Sequence, residues 1–150
     1  MKNEEPAASV GVASVLKMSD QAAATQLLKG FHALEGGAWR WTAGTFQVLL
    51  QPPAGSAQKG ATLTFAFSIP DVVIQKVSAM ALTASIGGTK LKTESYSKAG
   101  PYTFSADVPA AALAGDAVTI DFAFDKSLPA GSVDQRELAV VATSVGLESK

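Results

Sequence analysis

Residues 61–69 read Ala-Thr-Leu-Thr-Phe-Ala-Phe-Ser-Ile, an unbroken alternation with Leu63, Phe65, Phe67 and Ile69 on one side and Thr62, Thr64, Ala66 and Ser68 on the other. Successive side chains of an extended chain point to opposite faces, so this spacing predicts a strand buried on one face. Residues 117–124, AVTIDFAF, repeat the pattern, setting Val118, Ile120, Phe122 and Phe124 against Thr119, Asp121 and Ala123. Further short apolar runs follow from Thr45 onward: TFQVLL, VSAMALTASI, TKLKTES, YTFSADV and ELAVVATSVGL. Between them stand Pro52-Pro53-Ala54-Gly55, Pro70-Asp71, Gly100-Pro101 and Pro129-Ala130-Gly131, which are turn formers. Gly87-Gly88 predicts a two-residue hairpin, because a tight primed turn needs positive φ at both central residues. About seven or eight short antiparallel strands at this spacing predict an all-β fold, a two-sheet antiparallel β-sandwich, with a small barrel as the competing closure.

Working outward, residues 9–17 (SVGVASVLK) carry Val10, Val12 and Val15 and read as a strand despite Gly11. Ser19-Asp20-Gln21 offers a helix N-cap, AAATQLL favours a helical turn or two, and Gly30 is placed as the stop, so a short helix is expected over 19–29. Residues 1–6 are expected to be flexible, and 30–148 to form the main sandwich. With 150 residues and no cysteine, the chain is expected to be a single domain that buries about 68–70% of its unfolded surface without disulfide support. Twelve basic and thirteen acidic residues give a net charge of -1 with no run of either sign, so nucleic acid is not expected as a partner. No apolar stretch approaches the roughly 18 residues needed for a membrane-spanning helix. Glu4, Glu5 and Pro6 stand where a secretory signal would need basic and then apolar residues. The compartment stays open, with the cytoplasm favoured.

Little in the sequence supports catalysis. His32 is the sole histidine, in GFHALEGG, and with no cysteine and no Gly-x-Ser-x-Gly elbow it reads as structural. One histidine without a thiol does not make a zinc site, and no metal or other cofactor is expected. The metal alternative is a loop Ca²⁺ site drawn from Asp107, Asp116, Asp121, Asp125 and Asp134, although their spacing does not match a calcium loop. Glu35 and Asp134 are the most tempting carboxylate pair for glycoside hydrolysis. Arg40 and Arg136 lie close to them in sequence, which would keep both ionised, the opposite of what a general acid needs.

Both tryptophans lie in GGAWRWTAG, where an extended chain points Trp39 and Trp41 one way and Arg40 the other. An exposed indole is a flat platform for a sugar ring, whereas a buried one fills the core; the second reading is expected for at least one of them. In SVDQRELAVV, Asp134 and Arg136 share a face opposite Gln135 and Glu137. These residues predict a partly buried polar clasp of Glu35, Arg40, Asp134 and Arg136 joining the two segments.

The series Gly30-Phe31, Glu35, Arg40-Trp41, the Gly87-Gly88 hairpin, Gly100-Pro101-Tyr102-Thr103-Phe104, Pro129 and Asp134-x-Arg136-x-Leu138 resembles a β-sandwich domain found beside bacterial glycosyltransferases and in polysaccharide-synthesis loci. Two departures are Gly87-Gly88 in place of Asn-Gly and Ala139 where glycine is common. The resemblance implies a jelly-roll-like sandwich with a carbohydrate-associated, non-catalytic role, a glycan or glycosyltransferase-type partner, and Glu35, Arg40, Asp134 and Arg136 as framework. The leading expectation is therefore a module that binds or positions a glycan. Trp39, Tyr96 and Tyr102 are its stacking candidates, with Gln47, Gln51 and Gln75 as hydroxyl partners. The rival is a structural protein that self-associates into a homo-oligomer, or docks to a larger enzyme, through uncovered strand edges.

Overall fold

A computed structural model describes residues 12–132 and 134–150. The strands are β1 (Val15–Lys17), β2 (Leu27–Phe31), β3 (Arg40–Leu50), β4 (Ala61–Ile69), β5 (Met80–Ile86), β6 (Thr89–Tyr96), β7 (Gly100–Val108), β8 (Val118–Phe124) and β9 (Val141–Ser149). All pairings between them are antiparallel, and they build two layers. One layer, sheet A, runs β1-β9-β4-β7; the other, sheet B, runs β3-β8-β5-β6, with β2 added on the outer edge of β3. This is the strand order of a jelly roll, in which most neighbours come from distant parts of the chain. The two sheets are also continuous. Arg40 and Trp41 pair with Ala142 and Val141 of sheet A, and from Thr45 onward the same strand pairs with β8 of sheet B.

The alternation read from the sequence decides which face is inside. Leu63, Phe65, Phe67 and Ile69 of sheet A face Phe46, Ile120, Phe122 and Phe124 of sheet B, and all are buried. Phe46 stacks on Phe122 at 5.0 Å between ring centroids, and both rings contact Phe65, at 5.3 and 5.1 Å. Gly87-Gly88 forms the expected two-residue turn between Ile86 and Thr89, with φ of 58° and 84°.

The helical segments depart from expectation. The N-terminal helix is a 3-10 turn over Gln21–Gln26 capped by the Asp20 side chain, and Leu27–Phe31 is strand rather than helix. The reason is tertiary: the backbone of β2 pairs with β3, and Gly30, at φ 84°, lies in a bulge so close to Thr45 and Phe46 that a Cβ would collide with both. It is a packing glycine, not a helix stop. Two α-helices were not expected, α1 (Ser56–Lys59) and α2 (Asp71–Val77). The second carries three β-branched residues, Val72, Val73 and Ile74, whose weak helix propensity hides it in the sequence. The strand expected over 9–17 is observed as Val15–Lys17 only; residues 1–11, including the segment expected to be flexible, lie outside the described residues.

The ends of the sheet, β6 and β7, lie side by side without a backbone ladder. Lys92 of β6 reaches across, its Nζ donating to the Ser105 carbonyl at 2.8 Å and lying 5.6 Å from the centre of the Phe104 ring. A lysine on a strand edge obstructs pairing with another chain.

Because Phe65 touches two aromatic rings of the facing sheet, Phe46 and Phe122, Phe65→Ala is expected to destabilise the fold by about 3–5 kcal/mol, read from denaturant unfolding, with Phe65→Leu costing clearly less.

Candidate functional site

The strand directions bring four connections to one end of the sandwich: 32–39, 70–79, 97–99 and 125–140. Trp39, Tyr96, Tyr102 and the expected clasp all fall at this end.

The first connection continues β2 and β3 into a tight hairpin, with the Glu35 N–H donating to the Trp39 carbonyl at 2.8 Å and His32 N–H to the Trp41 carbonyl at 2.9 Å. Trp39 sits where the hairpin turns, 37% exposed. Its benzo edge lies against Gly36, where a Cβ would come within 2.7 Å of the ring, so the indole is seated on bare backbone. Trp41 is half-buried and packs against the core. Thus one indole is exposed and its neighbour is not.

The last connection is closed at its base by paired hydrogen bonds between Leu128 and Leu138. Within it the Arg136 guanidinium takes both carboxylate oxygens of Asp134, Nε to Oδ1 at 3.0 Å and Nη2 to Oδ2 at 3.1 Å, while Nη1 donates to Glu35 Oε2 at 2.9 Å. This fork fastens the last connection to the Trp39 hairpin, and each of its members keeps about a third of its side chain exposed. Arg40 is not part of it. Strand alternation turns Arg40 inward, where Nη1 donates to the His32 carbonyl at 3.1 Å, so the expected cluster of four is a cluster of three.

The residue that sequence reasoning missed is Glu137. Its carboxylate accepts from the Gly44 N–H at 2.9 Å and the Ser127 hydroxyl at 2.7 Å, and its backbone carbonyl accepts from His32 Nε2 at 2.7 Å. That last contact assigns the proton to Nε2, since a carbonyl can only accept. No local motif signals Glu137; its partner Gly44 is 93 residues away.

Tyr96 is buried, packed edge-on against Phe67 at 5.3 Å and beside Tyr102 at 4.5 Å, and offers no open face for stacking. Burial, with Glu94 and Tyr102 nearby, pushes its pKa up, and its hydroxyl has no partner among the described residues. Tyr102 is half-buried, its hydroxyl donating to the Lys98 carbonyl at 2.7 Å. The glutamines do not converge on Trp39. Gln47 binds Asp121 on the outer face of sheet B, Gln51 lies at the far end of β3, and Gln75 is exposed on α2. The five aspartates considered for calcium are scattered as well. Asp107 pairs with Lys150, Asp121 with Gln47, Asp125 with the Ala81 N–H and Asp134 with Arg136, and no group of three acids or histidines forms among the described residues.

No family model and no curated protein sequence matches the chain. Solved structures with a similar fold include latent PorU from Porphyromonas gingivalis, at 12% identity and a TM-score of 0.45 over 69% of this chain and 10% of that one. A protein described as a CBM4 structure is similar at 12% identity and a TM-score of 0.42, over 91% and 85% of the two chains. The CBM51-2 and INT domains of Clostridium perfringens ZmpB, in complex with GlcNAc, match at 12% identity and a TM-score of 0.42 over 93% of this chain and 28% of that one. The chain thus spans only a small part of PorU and of the ZmpB fragment. Nothing in these three points to glycosyltransferases or polysaccharide-synthesis loci.

Hydrogen bonds from the side chain and backbone of Arg136 hold the Asp134 carboxyl at about 2, against an ordinary 3.8. A depressed carboxylate pKa adds stability that is complete above the ordinary value and disappears as pH falls through the depressed one. The stability difference between the wild type and Asp134→Asn is therefore expected to be constant above about pH 5, to shrink as pH falls and to vanish only below about pH 2, followed by denaturation at a series of pH values. Tyr96→Phe removes a buried hydroxyl that has no partner among the described residues and is expected to leave the unfolding free energy unchanged or raise it by up to about 1 kcal/mol, read from denaturant unfolding.

Proposed function

We propose that the chain is a non-catalytic module that binds a glycan, with Trp39 as the ring on which a sugar stacks. The observation that carries this reading is the seating of that indole. Among the large hydrophobic residues exposed in the described part of the chain, Val15, Leu28 and Trp39, it is the sole aromatic. Its benzo edge is held against Gly36 in a closed hairpin, so little rotamer entropy remains to be lost on binding. An apolar ring face beside hydrogen-bonding groups matches a pyranose, which presents C–H bonds on its faces and hydroxyls around its rim. Glu35, Asp134 and Arg136 supply such groups next to the hairpin, each partly exposed.

A non-catalytic role is supported by the same geometry. Asp134 is held ionised by Arg136 and cannot serve as a general acid near neutral pH. The sole histidine uses Nε2 on a backbone carbonyl. Lys92 lies across the β7 edge and obstructs association through that edge.

Trp39→Ala is expected to abolish retardation of the chain in native gels containing soluble polysaccharide, with a change in stability of no more than about 0.5 kcal/mol. Retained binding, or a stability loss of about 3–5 kcal/mol that marks a core tryptophan, would overturn the proposal.

A further inference from the structure

The face of sheet A beside the tryptophan hairpin carries a feature that stacking on Trp39 does not use. Trp41 is in register with Val141, Val141 with Ser68, and Ser68 with Pro101, so these four positions form an outward-facing row across β3, β9, β4 and β7, half-buried at its Trp41 end. Trp39, in the hairpin just before β3 begins, stands beside the Trp41 end of the row, displaced from it along the strand direction. At a strand spacing of about 4.8 Å the row from Trp41 to Pro101 spans about 14 Å, the length of a short oligosaccharide rather than a single ring.

Along the row the surface dips into an open depression of about 380 Å³ lined by Ala66, Ser68, Pro101, Thr103 and Thr143, with Phe67 and Tyr102 beneath. Two local causes produce it. Ala66 and Ser68 are small, and a β-bulge between Ala66 and Phe67 leaves Thr143 as the extra residue of β9, its hydroxyl donating to the Ala66 carbonyl at 3.0 Å. A bulge of this kind re-aims side chains and recurs beside binding sites. The lining is without carboxylates, amines or guanidinium groups. Elsewhere the sheets are charged: the far half of this face carries Asp107 and Glu148 in register with Thr62, and a row of sheet B runs Lys29, Gln47, Asp121, Ser85 and Lys90.

We propose that the bound glycan is an uncharged chain, held along its length from the Trp39 hairpin across β9, β4 and β7, with the Ser68, Thr103 and Thr143 hydroxyls and the flat ring of Pro101 as its contacts. This rests on the glycan-binding reading and names its ligand class. A charged polymer would forfeit hydration in the depression and find no counter-charge there. The open trough, unlike a closed pocket, has no wall against which a chain end would stop.

The experiment is native affinity electrophoresis of the full chain in barley β-glucan, arabinoxylan and galactomannan as uncharged probes and polygalacturonate as the acidic one, followed by calorimetry with fragments of the retarding polymer. The expected result is retardation by at least one uncharged polymer and none by polygalacturonate, with a five-ring fragment binding at least tenfold tighter than a two-ring one. Thr103→Arg, at an exposed position, is expected to weaken binding at least tenfold without moving the thermal midpoint. If Trp39→Ala abolishes binding while Thr103→Arg binds as the wild type and fragment length has no effect, the extended trough is overturned and the stacking reading stands. Retardation by polygalacturonate alone overturns the uncharged ligand. Retardation by none of the four overturns both readings.

Discussion

Phe65 rests against Phe46 and Phe122, and this contact between the two layers holds the sandwich closed. Neither sheet can be stable alone, since each has one face of large apolar side chains that water would solvate poorly. Once Phe46 and Phe122 are stacked on one sheet and Phe65 and Phe67 on the other, the outer faces are left to threonine, serine, alanine and a few charges. The features argued to bind a ligand sit on those outer faces and on the connections. They are free to vary because the interior has taken over the work of stability.

β3 imposes a second constraint. It begins beside β9 in sheet A and ends beside β8 in sheet B, so the layers fold over about its middle. The connections that leave the sheets near this fold must cross its open end. There Arg136 ties Glu35 to Asp134, and Glu137 ties Gly44 to Ser127. Partly exposed pairs of this sort contribute little energy, but a bidentate fork fixes geometry. The hairpin carrying Trp39 is therefore held in place at both its ends, by β3 and by the fork.

The glycan reading depends on this division between a rigid interior and a positioned surface. A stacking ring is effective when it is already oriented, and Trp39 is oriented by the absence of a side chain at Gly36. The depression on sheet A has a similar origin: small residues and one bulge, at positions where strand alternation requires only that the side chain point outward.

Period-two alternation was legible in the sequence and placed the strands, their inner faces and the Gly87-Gly88 turn, because side-chain direction in a strand is a local property. The residue types also suggested a clasp of Glu35, Arg40, Asp134 and Arg136, of which the structure joins all but Arg40. Local patterning misread Leu27–Lys29 as helix and gave no sign of the helix Asp71–Val77, since pairing with β3 and the tertiary setting override weak intrinsic preferences. The jelly-roll order, the inward turn of Arg40, the burial of Tyr96 and the role of Glu137 were decided only by the tertiary structure. Each depends on partners tens of residues distant, brought together by burial of a shared aromatic core, and no short-range spacing records which distant strand a given edge will meet.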